Sequence, residues 1–159
     1  MAYELRAMIA GDAPLRSAAQ HVPGARAATL AQGLALKPMT DEVFDAVTDG
    51  GSTEPPGFRL LPGGFEKTLA EWSAAGPVAD VEAEYFGGVG RQRAALWADG
   101  PLAAGPWDKP RKLRLFRTPS PISHVLRRLG AASGLGEDEF AAVGLDRHRN
   151  NDGWISASS

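Results

Sequence analysis

The chain has 159 residues, 43% of them hydrophobic and 23% charged, with a net charge of −2 and no cysteine. This suits one globular domain over residues 1–159, large enough to bury about two thirds of its unfolded surface. It excludes disulfides, thiol nucleophiles and thiolate metal sites, and the small charge gives the whole molecule no pull on a polyanion.

Tyr3, Leu5, Ala7 and Ile9 alternate with Glu4, Arg6 and Met8, which predicts a first strand ended by Gly11. Asp12 is a candidate N-cap for a short helix through Gln20, with Leu15 on its inner side. Leu30, Leu34 and Leu36 share one parity and predict a second strand over 28–36, stopped by Pro38. Thr40 followed by Asp41 and Glu42 predicts another helix with Val43, Phe44 and Val47 inside. Residues 49–64, DGGSTEPPGFRLLPGG, read as a loop punctuated by Gly and Pro. Phe65, Leu69 and Trp72 then fall at helical spacing before the Gly76-Pro77 stop.

The stretch 78–105 predicts a three-strand meander. Val81, Ala83 and Tyr85 alternate with Asp80, Glu82 and Glu84, the pattern of a strand with one buried and one wet face. A four-residue turn at Gly87–Gly90 would pair Phe86 with Arg91, Tyr85 with Gln92 and Glu84 with Arg93, setting a carboxylate against a guanidinium. Asp99-Gly100 tolerates positive φ and predicts the next hairpin. Residues 107–119 carry Lys109, Arg111, Lys112, Arg114 and Arg117 around Leu113, Leu115 and Phe116, consistent with an edge strand with a basic face. Ser120-Pro121 opens a helix with Ile122, Val125, Leu126 and Leu129 on one stripe and Gly130 at its stop. A last helix is expected over 137–143, and residues 150–159 should fray around the anchor Trp154. Neither a membrane span nor a secretory leader is visible, so a cytoplasmic location is expected.

The sharpest constellation is Asp80, Glu82 and Glu84, spaced about 7 Å apart on one strand face. Carboxylates so placed can share a proton or hold a divalent cation, dock a basic protein surface, or form a solvated face partly neutralised by Arg91 and Arg93. The last is the simplest account. The GGVG turn joins antiparallel strands and opens no helix, so it lacks the geometry of a phosphate loop. His21, His124 and His148 show no metal-ligand spacing, and no GxSxG elbow is present. Residues 1–105 carry 8 basic and 13 acidic side chains, whereas residues 106–159 carry 9 and 6. The basic segment, flanked by Trp107 and Phe116, offers phosphate contacts and stacking for a nucleic acid.

The stretches EAEYFGGVGRQRAALWADG, SPISHVLRRLG and DEFAAVGLDRHRNNDGW resemble those of a group of small, uncharacterised bacterial proteins of actinobacterial type, some of them immunity-type partners of secreted toxins. That resemblance covers about half the chain and implies a binding role, with no catalytic residue to carry over.

Together these readings predict an α+β domain: an antiparallel sheet of four to six strands with helices packed mainly on one face. The expected function is a non-enzymatic protein–protein interaction module, an immunity protein that neutralises a toxin domain through Asp80, Glu82, Glu84, Phe58 and Arg59. One alternative is a hydrolase-like or metal-dependent enzyme using Glu82 and Glu84 as acid or base, with His124 or His148 assisting. The other is nucleic-acid binding through Lys109, Arg111, Lys112 and Arg114 in the 109–117 segment. No cofactor, resident metal or membrane association is expected.

Overall fold

The computed structural model describes residues 3–19, 27–39, 65–86, 89–112, 121–134, 139–148 and 150–157. In chain order they form β1 (Tyr3–Gly11), α1 (Asp12–Ala19), β2 (Ala28–Thr29), β3 (Leu34–Pro38), α2 (Phe65–Trp72), β4 (Val78–Phe86), β5 (Val89–Trp97), β6 (Leu102–Lys112), α3 (Pro121–Arg128), α4 (Glu139–Ala142), a 3₁₀ turn (Leu145–Arg147) and α5 (Asn151–Ala157). The helix expected after Thr40, the 49–64 loop with Phe58 and Arg59, and Arg114 all lie outside the described residues.

The six strands make one open sheet in the order β2-β3-β1-β4-β5-β6, and every pairing is antiparallel. With every strand pairing antiparallel and short helices packed on the sheet, this is an α+β architecture. Leu5, Ala7 and Ile9 of β1, Ala79, Val81 and Ala83 of β4, and Ala94 and Leu96 of β5 point to the first face. There they meet Ile122, Val125 and Leu126 of α3, followed by Val143, Leu145 and Trp154. The opposite parity is buried too. Met8, Ala10, Ala35, Val78, Ala95 and Trp97 pack on Leu15 of α1 and Leu69 of α2. Most helices thus cover the first face, but two cover part of the second, so the central strands are not wet on either side there.

Three expectations need correction. The predicted strand over 28–36 is a hairpin. Gln32 and Gly33 take φ of 62° and 76° and reverse the chain between β2 and β3. A left-handed Gln is unfavourable, and its amide is held by a two-bond clamp: Nε2 donates to Ala132 O at 2.8 Å and Oε1 accepts from Ala132 N at 2.9 Å. The three turn residues preserve the parity of Leu30 and Leu34, which is why periodicity alone read through them. Second, Phe86 pairs with Val89, Glu84 with Arg91 and Glu82 with Arg93, two residues tighter than the four-residue turn implied. A slip of two keeps every side chain on its expected face, whereas a slip of one would invert them all.

Third, residues 151–157 are helical rather than frayed. Trp154 is 1% exposed, and Asn151 joins α5 to β1. Its Oδ1 accepts from Arg6 N at 3.0 Å, while Nδ2 donates to Arg6 O at 3.0 Å and Met39 O at 2.8 Å. These bonds satisfy the free edge of β1 beyond the end of β3.

The expected third strand of the meander runs on through residue 112 rather than ending at Gly105, while the hairpin before it and the helix after it form where expected. Asp99 and Gly100 take φ of 53° and 107° at the β5–β6 hairpin, where Ser73 Oγ accepts from Gly100 N at 2.8 Å. Past the hairpin the register shifts between Ala94 and Leu96. Gly105 sits there at φ 78°, and a Cβ on it would lie 2.7 Å from Ala94 O. Helix α3 starts at Pro121 and ends before Gly130, whose φ is 100°. Its Ile122 N donates to Gln92 Oε1 at 3.0 Å, a cap supplied by the sheet, and Gln92 Nε2 donates to the Tyr85 hydroxyl. No helix among the described residues is long and apolar enough to cross a membrane.

Replacing Asn151 with Ala removes the side-chain partner of Arg6 N and of Met39 O at once, while Arg6 O keeps its bond from Met39 N. The expected loss is about 1–3 kcal/mol of stability, read as a lower denaturant midpoint at unchanged m-value.

Candidate functional site: the charged half of the second face

The register lays out the second face as rows running across the sheet. The first row is Trp97, Val78, Ala10 and Ala35; the next is Ala95, Asp80, Met8 and Lys37; then Arg93, Glu82 and Arg6; then Arg91, Glu84 and Glu4. One half is therefore apolar and sits beneath α1 and α2, and the other carries four acids and four bases.

Exposure grades along this charged half. Lys37 is fully buried, Asp80 and Glu82 are each 3% exposed and Arg93 is 7% exposed. The Glu84 side chain is 32% exposed and that of Glu4 53%, and Arg91 is exposed. Arg93 reaches diagonally to Glu84, Nη1 to Oε1 3.1 Å, so the acid–base contact expected for these two exists although they are not directly opposed. Arg6 bonds Glu4 at 2.6 Å.

The expectation of a solvated acidic face is thus corrected for two of its three members. Asp80 and Glu82 lie in the interior, and of the partner-binding set only Glu84 reaches solvent among the described residues. The expectation assumed that a strand with alternating polarity has one wet side. Here β4 is the fourth of six strands, and its polar parity is covered as well.

The two buried carboxyls sit in unlike surroundings. Glu82 has Arg6 and Arg93 as its cross-strand neighbours, whereas Asp80 has Met8 and Ala95. Burial pushes the Asp80 carboxyl well above its ordinary value, the charge of Glu82 adds to the rise, and a hydrogen bond from the Val81 backbone opposes it. A third buried acid behaves the other way. For Glu139 on α4 burial favours the proton, but bonds from Arg127 Nε at 2.7 Å, its own backbone and Ser133 Oγ at 3.1 Å outweigh it and hold the carboxyl below its usual range.

The histidines invoked to assist Glu82 or Glu84 are on the other side of the sheet. His124 stacks on Trp107 with ring centroids 4.2 Å apart, and His148 meets Trp154 edge-on at 4.6 Å. Trp154 belongs to the first-face core and Trp107 packs against it. The sheet itself separates imidazole from carboxylate, so that constellation is not assembled. Among the described residues no group of three His, Asp or Glu is placed to hold a metal ion. Of the nucleic-acid candidates, the register sets Lys109 opposite Gln92, Arg111 opposite Gly90 and Lys112 opposite Val89 on edge strand β6.

Sequence reasoning missed Lys37, Arg6 and Glu4 as members of this site. The signal was present in part: Lys37 interrupts an apolar run, GLALKPM, where a lone Lys in a central strand must find a polar neighbour. What could not be seen is that β3 and β4 flank β1, which brings residues 4, 6, 37, 80, 82 and 84 onto one surface.

Comparison with protein-family models, with curated proteins and with solved structures finds no match.

Arg93 is the base shared by the buried and half-buried parts of the site. Arg93→Met should cost about 3 kcal/mol or more, as expected when one partner of a buried ion pair is removed. Glu84→Gln, at the wetter end, should cost about 1 kcal/mol or less. Urea midpoints of the two variants check the ordering.

Proposed function

We propose that this chain is a non-enzymatic protein-interaction module of the immunity type, which binds and neutralises a toxin domain in the cytoplasm. It docks through the exposed end of the charged half-face rather than through Asp80 and Glu82. The observation that carries this reading is the direct opposition of Glu4 and Glu84 across β1 and β4 at that end. Carboxylates facing each other across a strand pair have Cβ atoms about 4.5–5.5 Å apart and destabilise the sheet. Arg6 pairs with Glu4 at 2.6 Å and Arg93 with Glu84 at 3.1 Å, but both arginines also stand opposite buried Glu82 and are shared with it. A basic partner surface laid over Glu4 and Glu84 relieves that repulsion, speeds association and sets specificity through charge complementarity.

The carboxylate-enzyme reading has one observation in its favour: the unlike environments of Asp80 and Glu82, of the kind that separates an acid from a base in catalytic pairs. It loses the assisting histidines, which lie across the sheet. The nucleic-acid reading gains no further observation.

Glu4→Lys/Glu84→Lys reverses the charge at the proposed contact. The double variant should keep the wild-type circular dichroism spectrum yet capture its partner from the native host at least tenfold less well. Wild-type capture should be released by raising salt, as exposed charge contacts are screened. Equal capture by a folded double variant removes the docking surface, while strictly salt-independent capture removes the electrostatic mechanism. Activity on a hydrolase substrate panel that Glu82→Gln abolishes while leaving capture intact would establish the enzyme instead.

A further inference from the structure

We propose that Asp80 makes the second face a proton-sensitive joint: the fold is built around the protonated acid, and β4 loosens from its covering when the proton leaves. This is a property of the fold and does not depend on the docking reading.

Its basis is position. Asp80 is 3% exposed, and its neighbours across both adjoining strands, Met8 and Ala95, belong to the apolar cluster under α1 and α2. Along its own strand the same-face neighbours are Val78 and Glu82. An apolar row favours a carboxylic acid over a carboxylate because the ion loses its hydration there, and the nearest acid on the strand adds a like charge.

The remaining charged groups around this face do not reverse that balance. Arg6 on β1 and Arg93 on β5 oppose Glu82, while Glu4, Glu84 and Arg91 lie one row further out. Asp108 on β6 is opposite Arg93. Lys37 on β3 shares the row of Asp80 but stands two strands away, beyond Met8. On α1, Asp12 and Arg16 pair with each other at 2.8 Å. On α2, Glu71 is exposed, and Glu66 and Lys67 complete its charges. Among the described residues, the cationic groups in the adjoining row, Arg6 and Arg93, stand opposite Glu82 and pair with Glu4 and Glu84. The direction of the Asp80 shift agrees: burial first, then Glu82.

The sign follows. An acid whose folded value lies above its unfolded one contributes stability in full below the unfolded value, here 3.8, and loses it as pH rises through the folded value. Glu139 has the opposite sign, its contribution disappearing as pH falls. The two cannot be confused, because a raised acid predicts a loss as pH rises and a lowered one a loss as pH falls.

The test is denaturant unfolding of the full chain and of Asp80→Asn, an uncharged near-isostere, between pH 4 and pH 8. At pH 8 the variant should have a folding equilibrium constant at least tenfold above wild type, one decade for each unit by which the folded value is raised. The gap should close toward pH 4. An equal or weaker variant at pH 8, or a gap independent of pH, overturns the proposal. Should Asp80→Asn not fold, the wild-type protein decides. With aspartate carbon-13 labelled, the infrared carbonyl band of a protonated carboxylic acid should persist at pH 5, above the ordinary aspartate value of 3.8, and vanish as pH rises further while β4 amides begin to exchange. Absence of that band at pH 5 overturns it.

Discussion

The structure depends on the two-sided burial of β4. Val81 and Ala83 face the helices of the first side, while Asp80 and Glu82, one pleat away, face an equally covered second side. A strand in this position has no solvent to which its polar parity can be assigned. The charges must be matched within the sheet, and the neighbouring strands supply the match: Arg6 and Arg93 flank Glu82, Arg93 reaches Glu84, and Lys37 stands at the far end of the Asp80 row. Four acidic and four basic residues share the charged half-face, but they are unevenly matched locally. The mismatch is Asp80 within, where the fold bears electrostatic cost; at the rim Glu4 and Glu84 oppose each other but each has an arginine beside it.

Much of the fold was legible because the local signals agreed with one another. Period-2 alternation marked β1, β4 and β5, Asp99-Gly100 marked the β5–β6 hairpin, and Ser120-Pro121 with the Ile122, Val125 and Leu126 stripe marked α3. The β2–β3 hairpin was missed because its turn hinges on Gln32, a residue that enters the left-handed region only with the help of Ala132, 100 positions away. The β4–β5 register was missed by two because loop length was guessed where pattern could not discriminate: either register keeps the same parity inside. The helical tail was missed because the residue that holds it, Asn151, bonds Arg6, 145 positions earlier.

The candidate site was legible in its residues and not in its setting. Alternation identified Asp80, Glu82 and Glu84 as one face, and the Arg93–Glu84 contact was anticipated. Whether that face is wet depends on strand order and on which helices pack behind it, quantities that no local pattern encodes. The same limit applies to His124 and His148. Their chemistry is compatible with the carboxylates, but the sheet's thickness divides them, and sequence carries no record of sides.

The bonds from Asn151 to the main chain of Arg6 join positions 145 residues apart into one loop. On a ribosome, where residues emerge in order and domains complete as units, the first strand will already be exposed while the side chain that finishes its edge has yet to be synthesised. Pairing of β1 with β3 and β4 can begin early. Its edge at Arg6 lacks that partner until residue 151 has emerged, and during that interval the nascent chain presents an incompletely paired strand end to whatever lies nearby.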